Sequence, residues 1–209
     1  MAIDRTKLTE MARKFKKLGR AFYERPAIDI ARDLLGKILV HRVGKRTLRA
    51  RIVETEAYVG EHDLACHASK GRTRRTEIMF GPGGHAYIYL IYGMYTMLNI
   101  VTSKRDDAQA VLIRAAEPLD NWQADLSGPG KLARAFDLTL AENGLDLGGD
   151  KLYLLDDADY RPRIVTSKRV GVEYAQQWKD ELLRFCVADS KAVSKPRPWF
   201  TASSQANSG

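Results

Sequence analysis

Alternating apolar and polar residues predict a chain built mainly from β-strands. Lys37–Val43 and Leu48–Tyr58 alternate on either side of a Gly44-Lys45 turn, which predicts one β-hairpin. Ala86–Ile100 contains a second pair of alternating runs, broken at Tyr92-Gly93. Because hairpins join neighbouring strands that run in opposite directions, we expect a mainly antiparallel sheet.

The remaining segments extend this sheet and flank it with short helices. Strands are predicted at Ala110–Glu117, Lys151–Leu155 and Leu182–Val187, an extended basic segment at Ile164–Val172, and short helices at Asp29–Leu35 and Gly128–Leu138. The predicted fold class is therefore α+β, with one domain, short flanking helices and a protruding hairpin. Residues 1–18 are predicted to be a basic extension, residues 19–188 the folded domain and residues 189–209 a flexible tail.

The second predicted strand ends in an unusual way. Side chains alternate between the two faces of a strand, so Glu54, Glu56 and Tyr58 share one face with three apolar residues if the pleat is unbroken. A bulge would reset the register and expose the glutamates. Otherwise a carboxylate approaches the core, where it needs a partner or a water-filled cavity. A carboxylate that lines a cleft is a candidate general base.

Arg114 lies in the middle of the predicted strand Ala110–Glu117, on the same face as Leu112 and Ala116. A guanidinium at such a position needs a carboxylate or an anionic ligand. We predict Glu56 as that partner. A purely structural ion pair between two buried strands is the alternative.

Tyrosine is concentrated in the second predicted hairpin, which holds four of the nine tyrosines of the chain. Tyr92 lies beside the turn glycine and is expected to be exposed. An exposed aromatic residue at a hairpin tip is suited to insertion into a stack of bases. A tyrosine-rich core hairpin is the alternative interpretation.

The charge of the chain narrows the class of partner. A formal charge of +8 and a pI near 9.5 favour a polyanion, either nucleic acid or an anionic membrane surface. The basic loop Lys70–Arg75 and the segment Ser127–Lys131 are suited to phosphate contacts, although the loop is equally compatible with a solvated charged surface. Cys66 and Cys186 form no disulfide framework, which predicts a reducing compartment. The four histidines have no zinc-ligand spacing, and no apolar run has membrane-spanning length.

An ordered set of short motifs resembles the alkyladenine (3-methyladenine) DNA glycosylase family, in its bacterial type. The motifs are Arg51-Ile-Val-Glu-Thr-Glu-Ala-Tyr58, His67, Met79-Phe80, the Tyr87–Asn99 hairpin, Val111-Leu-Ile-Arg-Ala-Ala-Glu-Pro118, Ser127-Gly-Pro-Gly-Lys-Leu132 and Arg169-Val-Gly-Val172. They run in the same order over Gly19–Val187. The family's Thr-Pro-Arg-Asn run is replaced here by Thr73-Arg-Arg-Thr76, which adds positive charge to that loop.

The resemblance implies a curved sheet and a monofunctional DNA N-glycosylase of base excision repair. Such an enzyme flips alkylated, deaminated or etheno purines out of double-stranded DNA and hydrolyses the N-glycosidic bond with an activated water, leaving an abasic site. The resemblance makes Glu56 the general base, with Arg114 and the backbone carbonyl of Val170 holding the water. It implies no cofactor and no metal, and a monomer in the bacterial cytoplasm that reaches the nucleoid through DNA binding.

The same resemblance assigns the base pocket and the DNA contacts. The base would stack against Tyr58, His67 and Tyr89, and Asn99 would disfavour the amino group of normal guanine. Tyr92 would intercalate at the hairpin tip. Phosphate contacts are predicted at the basic residues Arg72, Arg74, Arg75, Lys131, Lys168 and Arg169.

Two other functions remain open from the residues alone. A non-catalytic nucleic-acid-binding module would keep the aromatic tip and the pocket but would only read shape or damage. A formyl- or acyl-transfer relative acting on tRNA would need a nucleophile constellation or a cofactor loop, and we find neither. Glu56 beside Arg114 favours the glycosylase, because a binding module has no need for a buried carboxylate.

Overall fold

The structure, a computed structural model of the chain, describes residues 15–198. Its framework is one curved sheet in which every strand pairing is antiparallel. The strands are β1 Phe15–Lys17, β2 Ile38–Val43, β3 Arg46–Tyr58, β4 Ala86–Ile91, β5 Tyr95–Thr102, β6 Gln109–Pro118, β7 Leu152–Asp157, β8 Ile164–Ser167 and β9 Arg184–Val187. They follow the order β1-β7-β2-β3-β6-β5-β4, and β9 joins β3 to β8. The predicted α+β fold with its antiparallel sheet is confirmed.

Short helices cover this sheet. The α-helices are α1 Arg20–Tyr23, α2 Ala27–Asp33 and α3 Pro129–Ala135, and the 3₁₀-helices are His67–Lys70, Glu77–Phe80, Leu140–Glu142 and Gln176–Lys179. Helix α3 begins with proline, whose fixed φ suits the first helical turn. Its Leu132 and Ala133 are buried, so its apolar face packs against the sheet. Within residues 15–198, no helix is long and apolar enough to cross a membrane.

Strand β3 is the central element because it hydrogen-bonds to three other strands. Its first half pairs with β2, and Glu54–Glu56 pairs with β9. Its other edge pairs with β6, with register shifts on both sides of Glu54. The bulge that the sequence allows in β3 is therefore present, but it does not expose the glutamates. Glu54 and Glu56 are both 0% exposed.

Both predicted domain boundaries need correction. The basic extension predicted over residues 1–18 overlaps the sheet, because Phe15–Lys17 forms β1 on β7. Leu18 is buried and donates its amide to the carbonyl of Leu154 at 3.0 Å. The flexible tail is predicted over residues 189–209, but Val193 and Ser194 are buried. That prediction is therefore wrong for residues 189–198. Residues 1–14 and 199–209 lie outside the described residues.

Candidate active site

A cavity of about 290 Å³ opens beside the end of β3, at the base of the β4–β5 hairpin. This volume lies near the lower end of the range for small-molecule sites, about 300–1,000 Å³. Its aromatic lining consists of Tyr58, His67, Tyr87, Tyr89, Tyr92 and Tyr174. A flat aromatic group entering the cavity would therefore meet ring faces and edges on several sides.

The aromatic wall is held together by close ring contacts. The rings of His67 and Tyr89 lie 4.5 Å apart at an interplanar angle of 69°, and His67 Nδ1 lies 2.8 Å from the hydroxyl of Tyr87. Burial, helped by the positive charge of Arg75, lowers the pKa of His67 to about 4. His67 is therefore a neutral ring at physiological pH, which suits stacking against a base.

Glu56 lies directly behind this wall, where it accepts two hydrogen bonds and forms one ion pair. Its Oε1 accepts the backbone N–H of Val170 at 2.8 Å, and its Oε2 accepts the hydroxyl of Tyr58 at 3.0 Å. Arg114 Nη1 lies 3.3 Å from the same Oε2. The cavity is lined by Tyr58, Arg114 and Val170. Glu56 contacts all three of these residues and therefore lies one layer behind the cavity surface. Burial, together with the charge of Glu56, raises the pKa of Tyr58, so its hydroxyl stays a donor.

Glu54 holds Arg114 more tightly than Glu56 does. Its Oε1 accepts Nε of Arg114 at 2.8 Å and Nε of Arg184 at 2.8 Å. The hydroxyl of Ser194 donates to Oε1 at 2.8 Å, and the Ser194 amide donates to Oε2 at 2.6 Å. The prediction that Arg114 pairs with Glu56 is thus confirmed, but its closer partner Glu54 was missed. The one available signal was that Glu54 and Glu56 are two residues apart on one strand.

The buried charges of this cluster balance. Two carboxylates, Glu54 and Glu56, face two guanidinium groups, Arg114 and Arg184, and all four side chains are buried. Burial by itself would lower the pKa of Arg114, but the charges of Glu56 and Glu54 outweigh that effect and raise it. Arg114 therefore stays positively charged beside Glu56. Buried charges are tolerated in proteins when they are paired in this way.

Val170 is placed by the residue before it. The Arg169 side chain is buried and donates to both carboxylate oxygens of Asp63, at 2.5 and 2.9 Å. It also donates to the carbonyl of Ala57 at 2.9 Å, and its guanidinium lies 4.8 Å from the ring centroid of Tyr58. The prediction that Arg169 contacts the DNA backbone is therefore wrong, because its donors point inward. Arg169 instead fastens the Val170 loop to the end of β3.

Asn99 lies on β5 in the floor of the cavity and is buried. Its side-chain amide donates to the carbonyl of Tyr87 on the neighbouring strand at 3.2 Å. This bond fixes the carboxamide in one orientation, as a group that selects among purines requires. Its predicted role against guanine stays a prediction.

Tyr92 occupies the tip of the hairpin, as predicted. The amide of Met94 donates to the carbonyl of Ile91 at 3.2 Å, which closes the turn. Tyr92 and Gly93 both have positive φ angles, of 52° and 71°, the pattern of a type I′ turn. Tyr92 is 88% exposed. An exposed ring at a tight turn beside the cavity has the geometry of a wedge.

Comparison with known proteins decides the family. Residues 21–191 match the sequence pattern of the family described as "Methylpurine-DNA glycosylase (MPG)". The chain belongs to this family.

Curated relatives carry the same signal along most of the chain. A Legionella pneumophila (strain Lens) protein named "Putative 3-methyladenine DNA glycosylase" is 49% identical over 183 residues, covering 86% of this chain and 99% of the relative. Proteins of the same name from Anaeromyxobacter sp. (strain Fw109-5) and Methanocella arvoryzae are 49% and 46% identical, and each alignment covers at least 87% of this chain. The DNA glycosylase family therefore spans the sheet, the cavity and the hairpin.

The other predicted phosphate contacts of this DNA glycosylase family member are exposed cations with acidic neighbours. Arg72 pairs with Asp106, Lys131 lies 2.7 Å from Asp125, and Lys168 lies 2.6 Å from Asp180. Exposed pairs of this kind are weak and are readily exchanged for a phosphate. Their roles, and that of exposed Arg74, stay predictions.

Arg75 differs from these exposed, acid-paired cations because it reaches the cavity wall. It lies in the loop that departs from the family pattern, and its guanidinium lies 5.1 Å from the ring centroid of Tyr89. Among the described residues, no three His, Cys, Asp or Glu side chains are grouped as metal ligands.

Proposed function

We propose that this protein is a monofunctional DNA glycosylase that removes damaged purines from double-stranded DNA and acts as a monomer. The damaged nucleotide leaves the stack, and its base enters the cavity lined by Tyr58, His67 and Tyr89. Unstacking costs a few kcal/mol, and stacking on aromatic side chains returns about 1–3 kcal/mol per base. Tyr92 fills the gap left in the duplex.

One observation supports Glu56, and not Glu54, as the general base. A carboxylate has about four lone-pair sites. Glu54 accepts from four donor atoms, three of them on Oε1, and of its donor residues only Arg114 lines the cavity. Glu56 accepts two hydrogen bonds, from Val170 and Tyr58, which both line the cavity, and forms an ion pair with Arg114, so lone-pair sites remain for a water molecule at the cavity wall. The two neighbouring carboxylates thus differ in their capacity to accept a hydrogen bond from a water molecule at the cavity, which a general base needs.

The chemistry follows from this arrangement. Glu56 accepts a proton from the water as the oxygen bonds to the anomeric carbon, and the glycosidic C–N bond breaks with its electron pair leaving on the purine. The sugar carries positive charge in the transition state, which the Glu56 carboxylate stabilises. Arg114 keeps Glu56 in place and offsets its charge before the substrate binds. The products are a free base and an abasic site.

An alkylated purine suits this cavity best. Alkylation at a ring nitrogen makes the base cationic, so it departs as a neutral molecule and is attracted to the faces of aromatic rings. The names of the relatives point to the same class, 3-methyladenine. Within residues 15–198 the cavity is lined without lysine, which fits attack by water and not by an amine.

The test uses duplexes that each carry one hypoxanthine or one ethenoadenine. The wild type should release the base, and Glu56→Gln should bind the lesion while its release falls by orders of magnitude. Glu117→Gln is the matched control, because Glu117 lies on β6 and bonds to Ser190 away from the cavity. Undiminished release by Glu56→Gln would exclude Glu56 as the base. Lesion binding by the wild type without release from these duplexes or from methylated DNA would favour the non-catalytic binding module instead.

A further inference from the structure

The segment after β9 reaches the buried charge cluster. Ser194 donates its hydroxyl and its amide to the two oxygens of Glu54, at 2.8 and 2.6 Å, across 140 positions of the sequence. Glu54 and Ser194 are both buried. The family match ends at residue 191, so Ser194 lies beyond the segment that defines the family.

Arg184 fastens this segment in place. Its Nη1 donates to the carbonyl of Pro196 at 2.9 Å, and its Nη2 donates to the carbonyl of Ser194 at 3.0 Å. Its Nε donates to Glu54 at 2.8 Å, so one guanidinium joins the segment to β3. The Ser194 backbone is thus held from both sides, which directs its hydroxyl at the cluster.

The same hydroxyl also contacts Arg114. Nη2 of Arg114 lies 3.3 Å from Ser194 Oγ, and Nε of Arg114 lies 2.8 Å from Glu54. A planar guanidinium that is held at Nε and at Nη2 has no freedom to rotate in its plane. Its remaining nitrogen, Nη1, is thereby directed at Glu56, 3.3 Å away.

We propose that Glu54 and Ser194 are positioning residues that set Arg114 against Glu56. The inference rests on the proposed function, because it concerns the preparation of Glu56 for base release. Glu54 supplies the acceptor for Nε of Arg114. Ser194 orients Glu54 through two donors and supports Nη2 directly. The segment that ends the described chain is therefore a working part of the site.

The experiment measures single-turnover base release from a hypoxanthine duplex by the full-length protein. Ser194→Ala removes one donor and should slow release about tenfold, the effect of losing one hydrogen bond to a charged group. Affinity for the same duplex should change less than about twofold, because Ser194 lies behind the cavity wall. Ser194→Thr keeps the hydroxyl and should restore most of the rate.

Ser190→Ala is the matched control. Ser190 lies in the same segment, is equally buried, and donates its hydroxyl to Glu117 at 2.5 Å, a carboxylate outside the cluster. It should lose stability as Ser194→Ala does but keep the wild-type rate of release. A rate loss common to both variants would overturn the proposal, because it would reflect general loosening of the segment.

A double-mutant cycle tests whether Ser194 acts through Arg114. In an Arg114→Lys background, Ser194→Ala should cause little further loss of rate, because the group that it orients is gone. A full additional tenfold loss would overturn the proposal. If the wild type releases no base from the hypoxanthine duplex or from methylated DNA, the proposed function fails. If the wild type releases base and Ser194→Ala releases it equally fast, only this inference fails.

Discussion

The hairpin tip carries a side chain that the free protein has no structural reason to keep. Tyr92 is 88% exposed and has a φ of 52°, in the left-handed region that side chains with a Cβ avoid. A type I′ turn favours Asn followed by Gly, and Gly93 already occupies the second position. We therefore predict that Tyr92→Asn stabilises the protein and weakens lesion binding.

The two magnitudes follow from different physical terms. The left-handed conformation costs roughly 1–2 kcal/mol, of which Asn relieves a part, so a gain of about 1 kcal/mol is expected. For a chain of this length such a gain raises the melting temperature by about 2–4 °C. Loss of the inserted ring removes about 1–3 kcal/mol of stacking, which weakens binding about 5- to 150-fold.

The assay pairs urea denaturation with fluorescence anisotropy on a duplex that contains a stable abasic analogue. Leu140→Asn is the control, because Leu140 is also exposed and apolar but lies outside the cavity lining. It should leave affinity unchanged. If Tyr92→Asn binds the duplex as tightly as the wild type, Tyr92 is not a wedge. If it destabilises the fold, Tyr92 packs in a way that its exposure does not reveal.

Two further predictions concern the walls of the site. The pKa of His67, lowered to about 4 by burial and by Arg75, lies below its ordinary 6.5. The unfolded chain therefore takes up the proton at a higher pH than the folded protein does. The contribution of His67 to stability is complete above pH 6.5 and is lost as the pH falls towards 4. In urea denaturation, His67→Gln should lack this part of the pH dependence that the wild type shows. Asp63→Asn should leave the buried Arg169 charge unpaired and lower the free energy of unfolding by about 3–5 kcal/mol. It should also slow single-turnover base release, because Val170 is held less firmly. An unchanged rate per folded molecule would show that Arg169 does not position Val170.

Features with a local cause were predictable from the sequence. The two hairpins follow from alternation around glycine turns, and their predicted strands match β2 with β3 and β4 with β5 within about two residues. Exposure of Tyr92 follows from its place at such a turn. The helix predicted at Asp29–Leu35 is found at Ala27–Asp33 for the same reason, because its apolar spacing is local.

Features that depend on residues far along the chain could not be predicted from the sequence. Whether β3 buries or exposes its glutamates depends on β9, which pairs with Glu54–Glu56 from about 130 positions away. Lys168 and Arg169 are adjacent and equally charged, yet one is exposed and the other is buried against Asp63. The residues around Ser194 have the composition of a loose tail, and their order depends on the buried carboxylate of Glu54 and the guanidinium of Arg184. Composition cannot report a partner so far along the chain.

The contact between β3 and the segment after β9 also determines the order in which parts of the protein can fold during synthesis. Synthesis proceeds from the N-terminus, so Glu54 emerges long before Arg184 and Ser194, which together supply three of its four donor atoms. Until then Arg114 is the only one of these partners available to Glu54, and the free energy of its carboxylate is lower in water than in the core. The centre of the sheet must therefore close late, and contacts of such sequence separation slow folding. A nascent chain that lacks residue 194 would hold the cavity walls and the hairpin tip but not the completed charge cluster behind them.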